Sequence, residues 1–176
     1  MKRTVTTICL VVLAIVVAFS GFLATRKPVG PATDAPSPLL GKLAPTLKGH
    51  ELGGGTFSLK RERGDIVIVN FWASWCGPCI QEAPELSTYA WHVRKHGVVV
   101  VGVVFNDPVS SATAFAAHYG SLYPSIIDPG GNIANSYGVT SPPTTFVINR
   151  QGRVAATLLG STTAKQLAAV VAKVSS

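Results

Sequence analysis

The sequence predicts an α/β fold, a mixed central sheet flanked by helices. Two β-branched runs, Ile66–Trp72 and 98–105, are apolar on both faces, as buried interior strands are. Helical spacing follows each of them, after Pro78 and again over 109–119. The chain then closes on a hairpin and a helix instead of another alternating pair, so the strand directions must be mixed.

Lys2 and Arg3 precede an almost unbroken apolar stretch at 8–24. Its length is close to the lower limit for crossing a bilayer, about 17 residues. It also suits a signal-peptide core with a cleavage site at Ala18-Phe19-Ser20, but the apolar run continues past that point. Residues 1–27 are therefore read as an uncleaved signal-anchor, a single transmembrane helix. Retained, it leaves the rest at the cell membrane on the extracytoplasmic side; cleaved, it leaves a secreted protein. Residues 28–38 are rich in Pro, Ala and Gly and read as an extended linker, so the folded domain is expected over 39–176.

The domain should open with a β-hairpin between Gly41 and Leu59, turning at Gly53-Gly54-Gly55. Arg61-Glu62-Arg63-Gly64-Asp65 is a polar turn into the central strand. The helix after Pro78 extends to about His96, with Ile80, Ala83, Leu86 and Ala90 on one face, Pro84 inside it and Gly97 stopping it. Asn106-Asp107-Pro108 turns the chain into the helix at 109–119. A short strand over 123–128 and a short helix over Asn132–Tyr137 follow. Thr144–Ile148 and 154–158 flank Asn149-Arg150-Gln151-Gly152 as a hairpin, and Thr162 or Thr163 can cap the last helix at 164–173.

The formal charge of +7 is partly local. Without Lys2, Arg3, Arg26, Lys27 and Asp34, 11 basic residues face 7 acidic ones, a surplus of four. No basic run interleaves with aromatics, which argues against nucleic acid as a partner. Of the three cysteines, Cys9 lies in the apolar stretch, leaving Cys76 and Cys79. A zinc site would need two further ligands, and His50, His92, His96 and His118 are scattered, so no metal and no cofactor are expected. Two cysteines two residues apart can close a disulfide or open to a dithiol. They sit at a strand-to-helix junction, where free backbone N–H groups and the helix dipole favour an anion. Cys76 should therefore ionise more readily than a free thiol, whose pKa is about 8.5. A permanent stabilising disulfide is the alternative, but so small a loop restricts the unfolded chain little.

Three segments carry a family resemblance: NFWASWCGPC at 70–79, IQEAPEL at 80–86 and GVTSPPTTFVINRQGRV at 138–154. They are similar to the thioredoxin superfamily, and specifically to its membrane-anchored, extracytoplasmic TlpA/ResA/DsbE(CcmG)-like thiol–disulfide oxidoreductases. The resemblance implies a thioredoxin-like fold with an N-terminal β-hairpin extension and a central αβ insertion between Gly102 and Tyr137. It implies that Cys76 is the nucleophile and Cys79 resolves the mixed disulfide, while Gly77 and Pro78 hold the ring tight. Pro143 is expected to be cis and to sit beside the cysteines as a substrate-facing wall; an ordinary trans loop proline is the alternative. Pro142 departs from the pattern, since it offers no N–H to a substrate. Glu82, one helical turn beyond Cys79, is expected to assist the dithiol, because Asn70 stands where many thioredoxins have a buried acid; a solvated helix glutamate is the alternative. Trp75 is expected to shield the cysteines and join the contact surface, with Trp72 in the core.

These residues imply disulfide exchange with protein thiols. The resemblance adds a reductant's role in cytochrome c maturation, acting on apocytochrome c or haem-handling proteins and recharged by a membrane thiol donor. An oxidant (feeding a membrane thiol acceptor) or isomerase of secreted proteins uses the same chemistry in another direction. A thiol peroxidase or a non-catalytic binding module are more distant readings.

Overall fold

The computed structural model describes residues 2–24, 32–120 and 123–175, and in the first helix the side chains of residues 10–21. The chain divides into two compact units, Met1–Gly30 and Pro31–Ser176. Of the first, the described part is helix α1, Lys2–Ala24. Among the described residues no helix is long and apolar enough to cross a membrane, so the transmembrane expectation gains no support here. Residues 1 and 25–27 of the expected anchor, and 28–31 of the expected linker, lie outside the described residues.

The second unit is built on a six-stranded mixed sheet in the order β1-β8-β7-β4-β5-β6. Its strands are β1 (Thr33–Asp34), β4 (Ile66–Trp72), β5 (Val98–Val104), β6 (Ser125–Ile127), β7 (Thr144–Ile148) and β8 (Val154–Leu159). β4 is central, parallel to β5 and antiparallel to β7, and all seven of its residues are buried. Side chains alternate along a strand, so β4 feeds two cores. Ile66 and Ile68 pack with Leu86, Tyr89 and Ala90 of α2 (Gly77–Val93) and with Leu167 and Val171 of α5 (Ala164–Ser175). Val67, Val69 and Phe71 face the other way, toward Leu47, Phe57 and Ala134. There Phe71, Tyr137 and Phe146 form an aromatic trio with centroids 5.1–5.8 Å apart.

The expected extension and insertion are both present. The hairpin is β2 (Lys48–His50) against β3 (Thr56–Ser58), followed by a 3-10 turn at Leu59–Glu62. The insertion supplies α3 (Val109–His118), the edge strand β6 and the short α4 (Asn132–Tyr137). Thr163, not Thr162, makes the box at the start of α5: Gln166 N–H donates to Thr163 Oγ1 at 3.2 Å and Thr163 N–H to Gln166 Oε1 at 3.1 Å.

The folded unit begins earlier than its composition suggests. Residues 32–38, read as linker, are packed on the sheet: β1 pairs with Leu158 and Leu159 of β8, and Ala32 is buried. Ala32 N–H donates to Ser161 O at 2.8 Å and Ala35 N–H to Thr157 O at 3.0 Å. Backbone groups make this edge pairing, so the side-chain composition gives little sign of it.

Gly102 of β5 shows how tightly the insertion is fitted. Trp72 Nε1 donates to Ser125 Oγ at 3.2 Å directly over it, and an added Cβ would collide with both groups. Gly102→Ala is expected to cost about 1–3 kcal/mol and to break that bond. Urea unfolding followed by tryptophan fluorescence checks it.

Candidate active site

β4 ends at Trp72, and residues 73–75 turn the chain into α2. Cys76 is the N-cap residue, in extended conformation (φ −87°, ψ 106°), with proline in the first helical turn. Cys76 and Cys79 form a disulfide with their Cα atoms 5.2 Å apart. Cys79 N–H donates to Cys76 Sγ at 3.2 Å, so a first-turn donor already faces the sulfur that would carry charge on opening. Cys76 is 4% exposed and Cys79 1%, so Cys76 is the outer sulfur by a narrow margin. Gly77 is exposed and Pro78 half-buried beside them.

The turn is held from the end of β5. Asp107 accepts from Ser74 N–H at 2.6 Å and from Ser74 Oγ–H at 3.0 Å. Trp75 Nε1 donates to the carbonyl of Asn106, which has a positive φ of 44°. Trp75 is 56% exposed, free to join a contact surface. The shielding expected of it falls to Trp72, which is buried with Cys76, Cys79 and Ala73 and stacks on Phe115 of α3 at 4.9 Å.

Glu82 is not a solvated helix residue: it is 1% exposed, on the buried side of α2 with Cys79. Asn70 Nδ2 donates to its Oε1 at 2.8 Å; Thr162 N–H and Oγ1–H donate to its Oε2 at 2.9 and 3.2 Å. Asn70 also donates to Thr145 Oγ1 at 3.0 Å, so β7 is tied through Asn70 to a carboxyl of α2 that β4 and the loop before α5 hold. Loss of hydration outweighs these donors and raises its pKa from 4.5 to about 7.

The Pro142–Pro143 peptide is cis, as the resemblance implied. Pro143 is buried one residue beyond the Phe71–Thr144 pair, so it lies at the end of β4 that leads into the cysteines. Its carbonyl accepts from Gly160 N–H at 3.1 Å. Pro142 is half-buried. From the same loop Ser161 Oγ–H donates to Pro78 O at 2.7 Å. Asp107, Thr145, Ser161 and, beyond its capping option, Thr162 join the site without a motif of their own; their partners are 33 to 83 residues away in sequence. The local signals are Gly160 before Ser161 and the Asn106-Asp107-Pro108 turn; Thr145, inside a strand, has none.

Residues 40–157 match the AhpC/TSA family. The thiol-disulfide oxidoreductase ResA of Geobacillus kaustophilus is 32% identical over 164 residues, 92% of this chain and 89% of that protein. Among solved structures, a thiol:disulfide interchange protein of the thioredoxin family from Chlorobium tepidum superposes with a TM-score of 0.71 at 25% identity, covering 81% of this chain and 99% of that one. A secreted thiol-disulfide isomerase from Corynebacterium glutamicum gives 0.67 at 32% identity, covering 73% and 82%.

A carboxyl whose pKa rises on folding binds more protons in the native state between its unfolded and folded values, so stability falls as pH climbs through that window. For Glu82 the window runs from 4.5 to about 7. The loss across it is about 3 kcal/mol. Glu82→Gln is expected to flatten this slope while other groups keep theirs. Urea midpoints of both proteins at pH 5 and pH 8 make the comparison.

Proposed function

The chain belongs to the AhpC/TSA family and is a thioredoxin-like thiol–disulfide oxidoreductase of the ResA type, and on that premise we propose roles for its residues and a direction for its chemistry. Cys76 is the attacking sulfur. Its thiolate attacks one sulfur of a substrate disulfide; that S–S bond breaks, a mixed disulfide forms and a substrate thiolate leaves. Cys79 then loses its proton, attacks Cys76 Sγ and releases the second substrate thiolate, so two electrons have passed to the substrate. Gly77 and Pro78 keep the pair close, while Trp75, Pro142 and Pro143 border the surface on which substrate lies. With no N–H on either proline, an extended substrate must pair through the Pro142 carbonyl or through other groups.

The observation that carries this reading is the Glu82 carboxyl, buried one turn beyond Cys79 with a pKa of about 7. Such a group is divided between acid and base forms near neutrality, which suits it to take the Cys79 proton and return it. Glu82→Gln should slow exchange at pH 7 by 10-fold or more and remove the limb of the pH–rate profile near 7. Stopped-flow reduction of a disulfide peptide measures both.

The direction proposed is reduction, in cytochrome c maturation outside the cytoplasm, with apocytochrome c or haem-handling proteins as substrates and a membrane thiol donor recharging the pair. The ResA-type match and the basic-then-apolar N-terminus support it. The likeness to a secreted isomerase supports the second reading, disulfide shuffling in exported proteins. The reduction potential separates them: about −270 mV suits a reductant, whereas a value near −120 mV would sink that role. Cys79→Ala should accumulate mixed disulfides on Cys76, and mass spectrometry of the trapped species names the substrates. If none is trapped while the wild type turns over, the two-cysteine mechanism fails.

A further inference from the structure

A cavity of about 550 Å³ opens at the end of β4 opposite the disulfide. It is lined by Asp65 and Val67 at the start of the strand, whereas the disulfide follows its end, about 20 Å away at 3.3 Å per residue. Leu47, Val67 and Ile148 are buried in its floor and Leu59 half-covers one wall. Its rim carries Lys48, Lys60, Arg61, Arg63 and Arg150, against the carboxylates Glu62 and Asp65. That is a surplus of three positive charges, equal to the whole surplus of the folded unit once Asp34 of β1 is counted with it, 11 basic against 8 acidic residues.

Like charges are costly to gather, and here the fold gathers them without neutralising them. Among the described residues no ion pair joins these cations to either carboxylate, and no side-chain hydrogen bond holds Lys48, Lys60 or Arg63. Arg61 donates to the carbonyl and, at 3.4 Å, the hydroxyl of Thr56, and Arg150 donates to the carbonyl of Gly64, so only neutral groups hydrogen-bond these two guanidiniums among the described residues. The hairpin and the 3-10 turn therefore present donors around an apolar floor. A volume of this size falls in the range of small-molecule sites, about 300–1,000 Å³, and is too small for a helix or a folded partner.

We propose that this cavity binds an anionic amphiphile, with a carboxylate or phosphate head on the Lys60–Arg63 rim and an alkyl body over Leu47, Val67 and Ile148. The head could belong to a free amphiphile or to a lipid at a bilayer surface; the recognition chemistry is the same. The site is separate from the cysteines and does not depend on the roles proposed for them.

Isothermal titration of the full chain in a non-ionic detergent tests it, with octyl phosphate as probe and inorganic phosphate and octanol as its two halves. Octyl phosphate should bind saturably and at least 10-fold more tightly than either half. Lys60→Glu with Arg63→Glu should lower that affinity at least 10-fold while disulfide exchange stays at the wild-type rate. Co-sedimentation with phosphatidylglycerol vesicles, compared with phosphatidylcholine alone, separates the sources. Vesicle binding that octyl phosphate displaces places a bilayer lipid in the site, and octyl phosphate binding without vesicle binding places a free amphiphile there. Absence of octyl phosphate binding, binding that survives the double charge reversal, or binding of polyglutamate in its place would each overturn the proposal.

Discussion

The redox end of this molecule depends on one amide in a strand that has no access to water. Asn70 lies in the row of β4 that faces α2, among Ile66 and Ile68, and is fully buried. An unpartnered amide in such a place costs about 1–3 kcal/mol, so its neighbours must supply bonds. Glu82 and Thr145 supply them, and Thr162 holds the other carboxylate oxygen. The result is a carboxyl buried one helical turn from Cys79, its position fixed by four segments of chain. An amide is well suited to face it. The amide nitrogen donates to a carboxylate, and the amide oxygen, at present buried without a partner, can accept from a carboxylic acid if the group turns over. Both protonation states thus have a partner within one side chain.

The same strand separates two kinds of surface. Around its end lie Trp75, the two prolines and the disulfide, with the nearby carboxylates Asp107 and Glu82 engaged inside the fold. Around its beginning lies a cationic rim over an apolar floor. The Ser125–Trp72 bond and the aromatic trio tie the insertion and α4 to β4, so these surfaces are held on one rigid sheet.

Much of this was legible in the sequence. The two runs of Val and Ile placed β4 and β5, and WCGPC placed the start of α2, because strand burial and helix capping are local properties. What was not legible depended on long-range pairing. Glu82 could be read as solvated or buried until Thr162 and Asn70 were brought to it from 80 and 12 residues away. Trp72 is buried as expected, but it is this residue, and not the exposed Trp75, that is buried with the cysteines. Trp72 stacks on Phe115, a residue of the insertion far away in sequence. The cavity rim is drawn from segments near 48, 60 and 150; Lys60-Arg61-Glu62-Arg63 is basic alone, but nothing local joins it to Lys48 and Arg150.

The early start of the folded unit bears on how it avoids its own kind. The outer side of β8 is covered along its length. Gly41 and Lys42 bond Val154, Ala35 bonds Thr157, and β1 pairs with Leu158 and Leu159. At the opposite edge Leu52 N–H bonds Ser125 O and Glu51 bridges to Ile126. Open sheet edges invite strands from other chains. A thiol–disulfide oxidoreductase that acts on other protein chains meets such strands, and with both edges occupied its sheet offers them little to extend. A version trimmed at Leu39 would keep every residue of the redox centre and lose half of that protection. Its first failing would be self-association along β8, with its chemistry still intact.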